Sequence, residues 1–254
     1  MSFRAALNTF LHRLAYSLER YNRDQLIPKN LPDPSLYAGP EDPSRLFRPW
    51  NGENFLSHLD PQITQNTMLS RQKLYFLLQL FVTTAGLEGD VVEAGTCSGG
   101  SALLLAREAE RRGFKKRFWL LDTFAGYQKI DKASDGDHVQ LRDCRGKTRD
   151  EVASLFSGSK QDIRLVEGLI PATLAEVSAP SICFAHIDVN LYEPTYASTE
   201  FALKHLCKGG VIVFDDYNWP ATYGARAAID EVARQRNQTV ISIPESTQAF
   251  LIRS

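Results

Sequence analysis

The sequence predicts an α/β fold in which helices cover both faces of a mostly parallel, seven-stranded sheet with an antiparallel C-terminal edge hairpin. Short apolar runs alternate with helical patterns from about residue 71 onward, and such alternation is typical of a parallel sheet with helical crossovers. Several of these runs end in an acidic residue. The last two runs are joined by a short proline-containing turn. No helical crossover fits there, so the two strands form an edge hairpin.

The predicted elements follow one another in a regular order. Hydrophobic periodicity predicts helices at residues 71–84, 99–112, 148–156, 194–206 and 225–235. Apolar runs predict strands at residues 91–93, 118–121, 163–166, 182–187, 211–214, 240–243 and 249–252. Pro194 suits the first turn of its helix, because its missing N–H would be unpaired there anyway.

The N-terminal quarter has a different character. Residues 1–23 carry apolar side chains at helical spacing, and six prolines crowd into residues 28–49. The periodicity fits a helix packed on the core or on a partner subunit, a membrane-surface helix, or a targeting peptide. The packed helix is preferred, because no continuous apolar core or cleavage site of a signal peptide is present. We therefore expect residues 1–65 to form a helix and proline-rich arm that either caps the protein and supports a homo-oligomer or lies on the ligand side, and residues 66–254 to form the main domain.

Composition excludes several classes of protein. Lysine plus arginine (29) nearly balances aspartate plus glutamate (30), which argues against a nucleic-acid partner. No apolar run reaches the roughly 20 residues that span a bilayer. The four cysteines show neither CxxC spacing nor the density of a secreted scaffold. They predict reduced thiols in a cytoplasmic protein.

A glycine-rich turn follows the first predicted strand and opens the next helix. Glycines at 95, 99 and 100 let the backbone approach a ligand closely, and the helix start offers unpaired N–H groups. The next strand ends at Asp122, where doubly wound sheets commonly bind ribose hydroxyls. The GxGxxG dinucleotide fingerprint is absent, so a nucleoside without phosphate dependence fits best and indicates S-adenosylmethionine. The alternative is a structural turn in which Asp122 only caps the following segment.

Two later strands also end in acid, at Asp188 and at Asp215-Asp216. Parallel strands bring their carboxyl ends to one edge, so these three carboxylates can converge there. Together they would repel one another unless a cation were present. Oxygen ligands select Mg²⁺, Mn²⁺ or Ca²⁺ over zinc. The alternative is that one or more of these acids caps a helix.

These motifs, in this order, resemble the macrocin O-methyltransferase (TylF-like) family of class I S-adenosylmethionine-dependent methyltransferases over about residues 66–235. The resemblance implies a Rossmann-like class I methyltransferase fold and Mg²⁺-dependent methyl transfer to a hydroxyl, typically on a sugar of a glycosylated natural product. The matching blocks are Thr67-Met68 with Arg71 and Leu74, residues 93–101, residues 121–126, Val166-Glu167-Gly168 with Thr173-Leu174, residues 188–195, Gly209-Gly210, Asp215-Asp216-Tyr217 and Gly224-Ala225-Arg226.

The same resemblance assigns roles to residues. Asp188, Asp215 and Asp216 would hold the metal, and Asp188 would also be the catalytic base. The residues expected at the cofactor are Thr67, Met68, Glu93, Ala94, Gly95, Thr96, Ser101, Asp122, Thr123, Phe124, Gly168 and Asp188. One position departs from the family pattern, because Asn190 stands where the family usually has a second aspartate.

The predictions also cover two histidines, the acceptor and three alternative functions. His138 lies in a long polar segment, residues 127–147, that could form a lid, and it is a second candidate base. His186 lies in an apolar strand and fits a core residue. The small-molecule acceptor is expected to be a glycoside. A catechol or phenol O-methyltransferase, a non-catalytic cofactor-binding or assembly protein, and a nucleotide-sugar oxidoreductase are the alternatives. The absent GxGxxG disfavours the oxidoreductase.

Overall fold

A computed structural model describes residues 48–136, 138–141 and 144–254. The predicted N-terminal helix and nearly all of the proline-rich arm, with the predicted oligomer contact, lie outside these residues. The chain divides into two compact units, Met1–Phe55 and Leu56–Ser254. The first unit is described only from Arg48 onward and includes the 3-10 helix Pro49–Asn51. The expected domain division between residues 65 and 66 stays a prediction.

The helices and strands of the described residues are as follows. The strands are β1 (Asp90–Ala94), β2 (Arg117–Asp122), β3 (Asp162–Glu167), β4 (Ile182–Ile187), β5 (Leu206–Phe214), β6 (Ile241–Ser242) and β7 (Ala249–Ile252). The helices are α1 (Glu53–Leu56), α2 (Pro61–Thr64), α3 (Arg71–Thr83), α4 (Gly100–Arg111), α5 (Lys132–Asp135), α6 (Arg149–Leu155), α7 (Tyr192–His205) and α8 (Tyr223–Gln235). Two further 3-10 helices are Ala172–Glu176 and Pro220–Thr222.

The seven strands form one sheet in the order β3-β2-β1-β4-β5-β7-β6. Strands β1 to β5 pair in parallel. Strand β7 runs antiparallel to both β5 and β6. The predicted parallel sheet with an antiparallel hairpin at one edge is therefore confirmed.

The register of the parallel strands decides where the functional residues emerge. Ala94, at the end of β1, pairs with Leu121 on one side and with Ile187 on the other. Ile187 in turn pairs with Phe214 of β5. The residues that follow these positions therefore lie at a single carboxyl edge: Gly95, Asp122, Asp188 and Asp215.

The core is built on the central strands. All six residues of β4 are buried, as expected for a strand covered on both faces. Phe81 of α3 packs its ring 6.4 Å from that of Phe118 and 5.3 Å from that of Phe184, measured between ring centroids. All three rings are inaccessible to solvent. Helix α3 is thus fixed against the sheet by its apolar side.

Local signals explain where the helices begin. The Ser70 hydroxyl accepts a hydrogen bond from the Lys73 N–H (3.3 Å) and caps α3. Thr148 and Glu151 form a capping box at the start of α6.

Among the described residues, no helix has the length and apolar character needed to cross a membrane. None of the four cysteines forms a disulfide with another.

Candidate active site

A cavity of about 560 Å³ opens at the carboxyl edge of the sheet. Six of the residues predicted to contact the cofactor line it: Met68, Gly95, Asp122, Thr123, Gly168 and Asp188. A smaller cavity of about 110 Å³ adds three more predicted residues: Thr67, Thr96 and Ser101. Met68, Gly95 and Asp188 line both cavities. The structure therefore brings most of the predicted cofactor residues to one place.

Gly95 allows the turn after β1 to lie close to Asp188, the residue after β4. Its φ of +91° lies in the region that favours glycine. A Cβ at this position would lie 1.9 Å from the backbone oxygen of Asp188. The turn after β1 thus needs glycine for both its conformation and its space.

Asp122 is held rigidly at the end of β2. Its two carboxylate oxygens accept hydrogen bonds from the backbone N–H groups of Cys97 and Phe124, each 2.7 Å long. Burial raises the pKa of Asp122 above its usual value, although these two N–H groups act in the opposite direction. Each oxygen keeps a lone pair that can accept a hydrogen bond from a ligand.

Three predicted cofactor residues line neither cavity. Phe124 and Ala94 are buried, and their backbone groups hold Asp122 and Asp188: the Asp188 N–H donates to the Ala94 oxygen at 2.8 Å. Glu93 is buried in the sheet, with Oε1 2.9 Å from Nδ1 of His186. These three residues therefore contact residues of the site without lining either cavity.

The predicted acidic residues converge at the ends of β4 and β5. One ligand atom each of His186, Asp188 and Asp215 lies within 4.8 Å of the others. Asp215 is buried, with Oδ1 2.8 Å from Nε2 of Gln248, which donates a hydrogen bond to it. Asp216 follows it directly in the chain. We call Asp188, Asp215 and Asp216 the acid cluster.

Lys73 on α3 contacts this cluster, a contact that the sequence did not indicate. Its ammonium donates hydrogen bonds to Asp215 Oδ2 at 2.5 Å and to Asp216 Oδ1 at 3.3 Å. Burial opposes the charge of Lys73, but the neighbouring Asp215 outweighs it and the pKa of Lys73 rises. A lysine on a largely apolar helix gives no sequence signal for a partner more than a hundred residues away.

The three carboxylates differ in their ionisation. Burial and the charges of Asp215 and Asp216 raise the pKa of Asp188 well above its usual value. Burial and the charge of Asp215 raise the pKa of Asp216 to about 6. Burial also opposes the charge of Asp215, but the neighbouring His186 and the ammonium of Lys73 outweigh it and lower the pKa of Asp215.

His186 is more than a core residue. It is completely buried, and its Nε2 lies 3.9 Å from Asp215 Oδ1, on the side opposite Glu93. Burial opposes its protonation, but the two flanking carboxylates raise the pKa of His186 to about 10. The ring therefore lies between Glu93 and Asp215, beneath the acid cluster.

Tyr127, Asn190 and Cys144 form a polar wall of the larger cavity. The Asn190 amide donates a hydrogen bond to the Tyr127 hydroxyl at 2.7 Å, and the Cys144 sulfur lies 3.1 Å from the same hydroxyl. Burial raises the pKa of Tyr127, so the hydroxyl stays protonated at neutral pH. Asn190, where the family pattern has aspartate, thus makes a defined contact beside Asp188.

His138 does not join the acid cluster. Its side chain is exposed, and its Nε2 lies 2.7 Å from the Ala221 carbonyl oxygen. It lines neither of the two cavities. Nearby, Asp131 caps α5, and Asp135 is buried and accepts a hydrogen bond from the Tyr192 N–H at 2.7 Å. These two acids in the predicted lid segment have structural roles.

Comparison with known proteins identifies similar O-methyltransferases. The family model for macrocin O-methyltransferase (TylF) matches residues 50–246. A Streptomyces olivaceus protein, 8-demethyl-8-(2,3-dimethoxy-alpha-L-rhamnosyl)-tetracenomycin-C 4'-O-methyltransferase, is 26% identical over 187 residues, or 69% of this chain and 67% of that protein. Demethyldecarbamoylnovobiocin O-methyltransferase of Streptomyces niveus is 23% identical over 163 residues. That match covers 60% of this chain and 62% of the relative's length.

Solved structures share the fold. The O-methyltransferase NovP superposes with a TM-score of 0.68 at 21% identity, over 74% of this chain and 82% of its own. The calicheamicin methyltransferase CalS11 gives a TM-score of 0.60 at 19% identity, over 89% of this chain and 98% of its own. The predicted class I methyltransferase fold is confirmed. Since the family model spans well over half of the chain, the chain belongs to the macrocin O-methyltransferase (TylF) family and is an S-adenosylmethionine-dependent O-methyltransferase.

Proposed function

We propose that this enzyme methylates a hydroxyl group on the sugar of a glycosylated natural product, with Mg²⁺ held by the acid cluster. One observation carries the proposal. Asp188 lines both cavities and also lies with His186 and Asp215 in one compact group of ligand atoms. A single carboxylate therefore faces both the space for a methyl donor and the residues suited to a cation.

The larger cavity fits S-adenosylmethionine. Asp122 presents fixed carboxylate oxygens of the kind that accept hydrogen bonds from ribose hydroxyls. The Gly95 turn leaves no side chain between the backbone and a ligand. S-adenosylmethionine supplies an electrophilic methyl group on a positively charged sulfonium. The carboxylate of Asp188 gives that charge a favourable neighbour.

The acid cluster fits a hard divalent cation. Carboxylate oxygens are the ligands that Mg²⁺ prefers, and Asp188, Asp215 and Asp216 offer them from two adjacent strand ends. Bound Mg²⁺ supplies Lewis acidity, which eases the ionisation of an alcohol. Mn²⁺ and Ca²⁺ share this ligand preference.

The protein's own residues position the acceptor and take up its proton. Asp188 lines both cavities, so its carboxylate faces the attacking hydroxyl and accepts its proton. The Tyr127 hydroxyl and the Asn190 amide lie on the same cavity wall and bind the neighbouring oxygens of a polyol. Holding the acceptor oxygen in line with the methyl group lowers the entropic part of the barrier.

The acceptor class is inferred from the relatives. The Streptomyces olivaceus protein is named for methylation at the 4' position of a rhamnosyl tetracenomycin, and the Streptomyces niveus protein for a novobiocin precursor. A polar wall of hydroxyl and amide groups beside the base suits such a sugar.

A transfer assay tests the proposal. Purified enzyme is incubated with methyl-labelled S-adenosylmethionine and a panel of glycosides, free aglycones and simple catechols, with Mg²⁺ or with excess chelator. We expect label on glycosides and at least about 100-fold slower transfer in chelator. Equal rates in chelator would contradict the metal site. Transfer to catechols or aglycones alone would contradict the sugar acceptor.

A further inference from the structure

Lys73 contributes a cation of its own to the site proposed to bind Mg²⁺. Its ammonium lies between Asp215 Oδ2, at 2.5 Å, and Asp216 Oδ1, at 3.3 Å. These two aspartates are two of the three proposed metal ligands. The Lys73 ammonium therefore already binds carboxylate oxygens that a divalent ion would need as ligands.

The fold fixes Lys73 in this position. The Ser70 hydroxyl caps the first turn of α3 and receives the Lys73 N–H, while Leu74 and Phe81 anchor the helix in the core. The Lys73 side chain is only 19% exposed. The ammonium is therefore part of the built site rather than a solvated side chain that happens to lie close.

The charges around the acid cluster explain what such a lysine does. Three carboxylates converge above one buried histidine, His186, which already pairs with Glu93. Without a divalent ion, the Lys73 ammonium offsets the repulsion between Asp215 and Asp216. With a divalent ion on the same oxygens, the ammonium becomes a like charge at close range, which weakens the binding of that ion.

We propose that Lys73 is a built-in counter-cation of the acid cluster: it holds Asp215 and Asp216 together in the metal-free enzyme and competes with the entering Mg²⁺. This inference rests on the proposed metal site. It makes Lys73 a positioning residue that sets how tightly the enzyme holds its metal. Mg²⁺ would then exchange readily instead of remaining permanently bound.

Substitution of Lys73 separates charge from shape. Lys73→Met keeps the length of the side chain and removes its charge, and Lys73→Arg keeps the charge. Lys115→Met is the control, because Lys115 is exposed and precedes β2 at the opposite end of the strand from the site. Isothermal titration calorimetry of the full chain with Mg²⁺ gives the dissociation constant. Melting temperatures are measured with chelator and with Mg²⁺.

We expect Lys73→Met to bind Mg²⁺ at least about tenfold more tightly than the wild type. In chelator, its melting temperature should be lower than that of the wild type. Added Mg²⁺ should raise its melting temperature by more than it raises that of the wild type. Lys73→Arg and Lys115→Met should stay within about threefold of the wild-type dissociation constant. If Lys73→Met binds Mg²⁺ equally or more weakly while the wild type binds it, the competition is wrong and the proposed metal site stands. If neither protein binds Mg²⁺, both proposals fail.

The wild-type enzyme offers a second readout, which serves if Lys73→Met does not fold. Entering Mg²⁺ should release the ammonium from Asp215, so the acetylation of Lys73, followed by mass spectrometry, should quicken at least about twofold with Mg²⁺. Acetylation of Lys115 should not change. Slower or equal acetylation of Lys73 at saturating Mg²⁺ would contradict the competition.

Discussion

Three neighbouring aspartates acquire different properties from their surroundings. Asp215 is buried between His186 and Lys73 and stays ionised. Asp188 faces the cavity, and its pKa is raised by burial and by the other two carboxylates. A pair of acids whose pKa values are pushed apart commonly divides base chemistry from charge stabilisation. This difference is consistent with Asp188, which lines the cavities, as the proposed base and with Asp215 as the carboxylate that its neighbours stabilise in the charged form.

Asp122 gives the most direct test of the cofactor site. Asp122→Ala removes the carboxylate proposed to bind the ribose, and hydrogen bonds to a charged group contribute about 1.5–3 kcal/mol. We expect the dissociation constant for S-adenosylhomocysteine, measured by calorimetry, to rise about 10- to 100-fold. Asp150→Ala, at a fully exposed position on α6, is the control. Unchanged affinity in Asp122→Ala would place the nucleoside elsewhere.

His138 was a candidate base from the sequence, and the structure argues for a smaller role. Its ring is exposed and bound to the Ala221 carbonyl rather than to the acid cluster. We therefore expect His138→Ala to keep kcat within about threefold of the wild type, whereas loss of a general base costs about 10²- to 10⁴-fold. A fall of that larger size in steady-state assays would restore His138 as a base.

Asn190 offers a test of the departure from the family pattern. Asn190→Asp places a new carboxylate beside Asp188, and like charges raise the pKa of a neighbouring acid. Asp188 then loses its proton only at higher pH. We expect the acidic limb of the pH profile of kcat/KM to move to higher pH. Asn190→Ala, which removes the amide without adding charge, should leave this limb in place. A shift to lower pH in Asn190→Asp would contradict Asp188 as the base.

Contacts between distant residues set the limit of prediction at this scale. The acidic residues at strand ends were visible in the sequence because strand ends share an edge. Lys73 and Tyr127 were not, since their partners Asp215 and Asn190 lie far away in the chain. The contact of Glu93 with His186 was not predicted either, because it depends on the pairing of these two residues across β1 and β4.

At the scale of elements, the turn between β1 and α4 is the most constrained. It brings the end of β1 against Asp188, which follows β4, and Gly95 is the point of contact. Periodicity predicted β4 and β7 with the bounds that the structure shows. The predicted β5, residues 211–214, is too short, because the strand begins directly after α7 at Leu206. The predicted β6, residues 240–243, is too long, because the strand covers only Ile241–Ser242. The ends of a strand depend on its pairing with neighbouring strands, which a single segment does not encode.

Gly95→Ala tests this element. The new Cβ would collide with the Asp188 backbone at 1.9 Å, and the φ of +91° would be strained. We expect the free energy of unfolding, from denaturant titration, to fall by at least about 2 kcal/mol. Gly158→Ala is the matched control, because a Cβ there meets nothing within 4 Å. It should change stability by less than about 1 kcal/mol. Equal stability of the two variants would contradict the close approach.

At the scale of the whole molecule, one sheet unites the separate motifs. Four of the five parallel strands bring the glycine turn, Asp122, Asp188 and Asp215 to a common edge. The chain as a whole has a nearly neutral net charge, but this arrangement concentrates carboxylates at one edge of the sheet. The alternation of helices and strands was sufficient to predict it. The counter-charges from Lys73 and His186 required the structure.

The destination of the methyl group tests the central claim most directly. The enzyme is supplied with S-adenosylmethionine carrying a ¹³C-methyl group, Mg²⁺ and a glycoside that bears both sugar and phenolic hydroxyls. Long-range carbon–proton NMR correlations then locate the label in the product. We predict a new ¹³C methoxyl on a sugar carbon. A label found only on a phenolic oxygen of the aglycone would contradict the account.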